Sequence, residues 1–123
     1  MSRVFLLEDH SWFRKVLADL LEREADLQVV GEAGSLSEAR DGMMDMPGEI
    51  DLALIDLLLP DGIGTELIGD LRRINPEVPV LVLTVAQGPD LYSWVRSMGA
   101  DEMISKDASL DEILAAVRLL LSG

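Results

Sequence analysis

A chain of 123 residues is long enough to bury one real core and too short for two. Hydrophobic residues make up 49% and aromatics only 4%, so the interior is aliphatic; cysteine is absent, which removes disulfides and thiolate metal sites. With 23 acidic against 10 basic side chains the formal net charge is -13, which repels a phosphate backbone and excludes direct binding of nucleic acid by this domain.

Residues 4–7 read as a buried strand, and the charged Arg3 precedes only this short apolar run, too short for a signal peptide or a membrane span. Residues 11–24 carry Phe13, Leu17, Leu20 and Leu21 at helical spacing. Residues 27–33 are strand-like and end at Gly34. Ser35-Leu36-Ser37-Glu38 is a capping box, opening a helix toward Met46 that Pro47 and Gly48 end. Residues 52–55 form a third strand, and residues 64–73 a short helix stopped by Asn75 and Pro76. Residues 80–83 are a nearly unbroken aliphatic run and therefore a central strand. Pro89 starts a helix to Met98, which Gly99 ends. On it Leu91, Trp94 and Met98 share a stripe expected to pack in the core, the alternative for Trp94 being a partner or dimer contact on this helix, where Tyr92 and Arg96 point away from the stripe. Residues 103–105 are the last strand. A second capping box, Ser109-Leu110-Asp111-Glu112, opens a final helix with Ile113, Val117 and Leu120 on one face.

Five strand-helix units with strands buried on both faces imply an α/β fold, a parallel sheet covered by helices on each side. Right-handed crossovers restrict it to a doubly wound (βα)5 sheet of order 2-1-3-4-5. Ligands in such sheets gather at the carboxyl ends, near the switch between strands one and three. Glu8 and Asp9 follow strand one and Asp56 closes strand three, so the acids land side by side.

Three carboxylates in one place repel unless they are protonated or share a cation. Hard oxygen ligands without His or Cys fit Mg2+ better than zinc. Taken alone, Glu8 and Asp9 are also good company for a helix N-terminus. Asp56, on a rigid strand beside a cation, can also act as a nucleophile toward phosphorus. Thr84 and Lys106, after strands four and five, offer a hydroxyl and an ammonium for the oxygens of a moving phosphoryl group. Taken singly they are an ordinary strand-end hydroxyl and a loop lysine. Lys15 is the only other lysine.

Together these residues resemble the receiver domain of bacterial two-component response regulators along the whole chain. The matching features are Glu8-Asp9, Asp56 with Pro60 and Gly64 after it, Thr84, and Gly99-Ala100 ahead of Lys106. Asp9-His10, Leu59-Pro60-Asp61-Gly62 and Ser105-Lys106-Asp107-Ala108 look like the LuxR-type, NarL-like subfamily. The resemblance implies a flavodoxin-like fold and one receiver domain over residues 1–123, with no DNA-binding domain in this chain. It implies that Asp56 takes a phosphoryl group from a sensor histidine kinase. Asp9, Asp56 and the backbone carbonyl of Leu58 would bind Mg2+ directly, and Glu8 directly or through water. Lys106 would pair with the phosphoryl oxygens and Thr84 would swing in to hydrogen-bond them. It further implies a cytoplasmic protein that controls an output such as transcription. That protein would form a homodimer on phosphorylation, reach DNA only through another domain, and turn over no external substrate.

Two positions depart from the family pattern. Met103 stands where receivers carry Tyr or Phe, and Asp107 where many have Pro. Leu58 and Ala86, two places after Asp56 and Thr84, are apolar and cannot orient a hydrolysing water, which predicts slow self-dephosphorylation. An interaction-only receiver is the alternative that Met103 keeps open. A flavodoxin-like cofactor binder would need a phosphate loop where this chain has acids. An aspartyl phosphatase would need a second acid where Leu58 stands.

Overall fold

Aliphatic runs without polar interruption can be buried on both sides, and in this chain they build the centre of one sheet. The computed structural model describes residues 1–44 and 50–123. In chain order the elements are β1 (Ser2–Leu7), α1 (Ser11–Glu22), β2 (Leu27–Ala33), α2 (Leu36–Met44), β3 (Leu52–Asp56), α3 (Glu66–Ile74), β4 (Val80–Thr84), α4 (Pro89–Ser97), β5 (Glu102–Ser105) and α5 (Leu110–Ser122). All five strands pair in parallel, in the order 2-1-3-4-5. Between β3 and α3, Leu58–Leu59 and Gly62–Ile63 close a two-residue antiparallel ladder. The expected second helix is described as far as Met44; Met46, Pro47 and Gly48 lie outside the described residues.

The period of two along each strand divides the core into two layers. Val4, Leu6, Leu52, Leu54, Leu81 and Leu83 face Leu17 and Leu21 of α1 and Ile113 and Val117 of α5. Phe5, Leu7, Ala53, Ile55, Val80 and Val82 face Leu36 of α2, Leu67 and Leu71 of α3, and Val95 of α4. Each fully buried Leu or Val contributes about 1.5–3 kcal/mol relative to exposure, so the two layers hold the sheet rigid. Met103 is partly buried against the second layer, as a core filler should be.

The caps show where local sequence decided and where it did not. Ser109 and Glu112 form both halves of a capping box, Glu112 N–H donating to Ser109 Oγ at 3.1 Å. At α1 the cap is His10, whose Nδ1 accepts from Phe13 N at 3.3 Å, rather than either acid before it. At α2 only half of the expected box is made: Glu38 N donates to Ser35 Oγ. The amides of Leu36 and Ser37 donate instead to Asp61, from the loop after β3, at 2.9 and 3.0 Å.

One expectation is overturned. Trp94 is 41% and Met98 45% exposed, while Val95 is fully buried. A nine-residue helix makes only about two and a half turns, and its buried line runs through Leu91 and Val95. Trp94 therefore faces outward with Tyr92.

Candidate functional site

β1, β3, β4 and β5 all end at one edge of the sheet, and the register brings their last residues together. Asp56 is opposite Leu83 in the β3–β4 pair, and Thr84 is opposite Ser105 in the β4–β5 pair. Lys106 N donates to Thr84 O at 2.9 Å, and Leu57 N to Leu83 O at 2.9 Å, which extends the strand pairing into the loops. Asp56 continues the face of Leu52 and Leu54, whereas Thr84 continues that of Val80 and Val82.

Glu8 is completely buried and Asp56 is 3% exposed, while Asp9 reaches solvent. Lys106 Nζ lies 2.8 Å from Asp56 Oδ2 and 2.7 Å from Glu8 Oε1. Glu8 Oε2 accepts from His10 N at 2.9 Å, and Arg14 holds the Glu8 carbonyl at 2.7 Å. The buried Glu8 Oε1 relies on this ion pair with Lys106 and has no other polar partner among the described residues. The Lys106 ammonium also lies 5.6 Å from the centre of the Phe13 ring, a distance at which the ring face attracts a cation.

Burial pushes the Asp56 carboxyl up to about 7; Lys106 opposes the shift, and Asp9 and Glu8 add to it. Asp9 moves the other way, held below the usual carboxylate range chiefly by its hydrogen bond to Asp56. For Lys106 burial favours the neutral amine, but the contacts with Asp56 and Glu8 outweigh it and raise its pKa. One ammonium thus faces three acids, and negative charge is in surplus. Oxygens of Glu8, Asp9 and Asp56 lie within 4.8 Å of one another, close enough to share a metal ion. The surplus of carboxylates over the single ammonium and the all-carboxylate donor set fit a hard cation.

Thr84 is at the same edge and buried, but its Oγ1 accepts from Ala86 N at 3.0 Å on its own loop. Asp107 N donates to Ser105 Oγ at 3.0 Å, using an N–H that proline lacks. Leu58 and Ala86 are both exposed. Gly64 passes so close to the Asp56 carbonyl that a Cβ there would overlap it, and Gly64 N donates to Leu57 O at 2.7 Å. A cleft of about 260 Å³ opens beside Lys106, lined by His10, Trp12, Phe13 and Val85. A larger depression of about 330 Å³ lies between α2 and α3, lined by Arg40, Met43, Asp70, Arg73 and Ile74. Sequence reasoning missed Arg14, Phe13 and Asp61 as supports of the site. None of the three is announced in that role by a local pattern, because each acts on a segment other than its own turn or helix face.

A profile of the response regulator receiver domain matches residues 4–118. The chain belongs to that family. This receiver domain aligns over its full length with the DNA-binding transcriptional activator DevR/DosR of Mycobacterium tuberculosis, at 39% identity, and with the transcriptional regulatory protein UhpA of Salmonella typhimurium, at 36%. It spans 56% and 60% of those relatives. Among solved structures it resembles a LuxR-family response regulator from Aurantimonas sp., with a TM-score of 0.89 and 27% identity over 100% of this chain and 86% of that one. It also resembles the receiver domain of the NarL regulator of M. tuberculosis, with a TM-score of 0.86 and 27% identity over 99% of this chain and 97% of that one. The expected fold and family are therefore established, within the LuxR and NarL type. Among the described residues no helix is long and apolar enough to cross a membrane.

Proposed function

We propose that this receiver domain accepts a phosphoryl group on Asp56 from the phosphohistidine of a sensor histidine kinase, with Mg2+, and changes conformation to control an output such as transcription. The observation that carries this reading is the buried Asp56 carboxylate, 2.8 Å from the Lys106 ammonium and beside two further acids. In the transfer, an Asp56 oxygen forms a bond to phosphorus as the bond from phosphorus to the imidazole nitrogen breaks. The imidazole leaves with that electron pair and takes up a proton.

Asp9, Asp56 and the Leu58 carbonyl would hold Mg2+, with Glu8 directly or through water. When bound, Mg2+ would neutralise charge on the transferring oxygens. Lys106 would exchange its contact with Asp56 for the new phosphoryl oxygens. Thr84 leaves β4 on the face opposite Asp56, so reaching the phosphoryl group requires its hydroxyl to leave Ala86 N and turn inward. The added group brings nearly two negative charges and three acceptor oxygens, and bonds to Lys106 and Thr84 bias the loops toward one arrangement. Met103, in the usual aromatic position, would repack through its flexible side chain.

Exposed Trp12 and Val85 line the cleft beside Lys106, and this apolar surface supports docking of the kinase. A homodimer would follow phosphorylation, and any DNA contact would come from a domain outside these 123 residues. The apolar flanks at Leu58 and Ala86 support slow self-dephosphorylation; a phosphoryl lifetime of seconds in Mg2+ would contradict it. The test is intact mass after incubation with acetyl phosphate. One added phosphoryl group is expected in Mg2+ and none in EDTA. No gain in Mg2+ would favour a receiver used only for protein interaction.

A further inference from the structure

The turn after Asp56 is tied to a helix that is remote from it in sequence. Both Asp61 carboxylate oxygens are engaged: Oδ1 accepts from Leu36 N at 2.9 Å and Oδ2 from Ser37 N at 3.0 Å. These amides are the first of α2, which have no partner inside their own helix. From Asp61 the turn runs back to the acids along short, rigid paths. Leu58 and Leu59 pair with Ile63 and Gly62, Glu66 Oε2 accepts from Ile63 N at 2.9 Å, and Gly64 N donates to Leu57 O at 2.7 Å. Gly64 itself lies against the Asp56 carbonyl. The side chain of Leu36, buried at the start of α2, packs beside Gly62. The turn carrying Leu58 is therefore braced at Asp56 by Gly64 and at its far end by Asp61.

We propose that Asp61 is a positioning residue: by capping α2 it fixes the turn of residues 57–64 and so the Leu58 carbonyl at the cation site. This inference rests on the Mg2+ reading above. Coupling of this kind is reciprocal. If the clamp improves Mg2+ binding, Mg2+ must tighten the clamp by the same factor.

The test compares the unsubstituted chain with Asp61→Ala and Asp61→Asn, using Mg2+ alone as ligand in calorimetry and amide exchange in EDTA and in saturating Mg2+. Asp61→Ala is expected to weaken Mg2+ binding about fivefold, the factor that loss of one helix cap represents. Exchange of the amides in 57–64 should speed up together with that loss. Asp61→Asn, which loses the charge but keeps one acceptor, should stay within about twofold if a cap and not a charge is at work. In the unsubstituted chain Mg2+ should slow exchange at Leu36 and Ser37, a readout that does not depend on either variant folding. Equal weakening by Ala and Asn with unchanged exchange would mean a charge effect alone and overturn the proposal. So would Mg2+ binding that leaves Leu36 and Ser37 exchange unaltered. If the unsubstituted chain binds no Mg2+, the cation reading fails first. Exchange of the turn in Asp61→Ala then decides whether Asp61 braces it: faster exchange keeps the bracing role, and unchanged exchange ends it.

Discussion

Lys106 touches two buried carboxylates at once, and its removal leaves both without a counter-charge. Breaking a buried ion pair from one side costs about 3–5 kcal/mol, so Lys106→Met should lower unfolding stability by about 3 kcal/mol in EDTA at neutral pH. Mg2+ should restore part of that loss. Denaturant unfolding at unchanged midpoint would contradict the pairing. Asp56 makes the opposite demand. Its folded pKa, about 7, lies above the unfolded value of 3.8, so the folded chain binds more protons through that window. Stability from this group is full below the unfolded value and falls as pH rises toward about 7. Asp56→Asn has no charge to bury and should gain stability relative to the native chain between about pH 5 and pH 8. A variant less stable than native at pH 8 would contradict the shift. A cation competes with the same proton, so Mg2+ affinity should rise over this pH range, as calorimetry in buffers of different pH can read.

Among the elements, α4 separates pattern from packing most sharply. Leu91, Trp94 and Met98 share helical spacing, but so do Leu91 and Val95, and nine residues are too few for periodicity to choose. The sheet chose: Val95 enters the layer of Ile68 and Val82, while Trp94 and Tyr92 remain outside. Val95→Ala should then cost about 2 kcal/mol from lost methyl burial and the cavity left. Trp94→Ala should change stability by less than about 0.5 kcal/mol, as surface substitutions do. Thermal or denaturant unfolding of the two variants in the reverse order would place the buried face wrongly. Caps divide in the same way. Ser109 and Glu112 are three residues apart and their box can be read directly, whereas Asp61 caps a helix 25 residues earlier, and no local pattern announces that.

At the scale of the whole molecule, the features readable in advance are those with a short period or a fixed place. Aliphatic strands, strand order and the acids at strand ends follow from alternation and from right-handed crossovers. Polar contacts between distant segments were not readable. Arg118 of α5 grips Asp26 with both terminal guanidinium nitrogens, at 3.0 and 2.9 Å, across 92 positions of sequence, and Glu8 takes Lys106 as its partner across the sheet edge. Nor does spacing reveal which way Thr84 turns, because that depends on a loop amide. The net charge of -13 bears on solubility and partner choice rather than on the fold. What the fold does for function is to gather four separated loops around one carboxylate. The most direct test is the mass of the Asp56→Asn chain after acetyl phosphate and Mg2+, beside that of the native chain. The native chain should gain one phosphoryl group and the variant none; a variant that still gains it would show that Asp56 is not the acceptor.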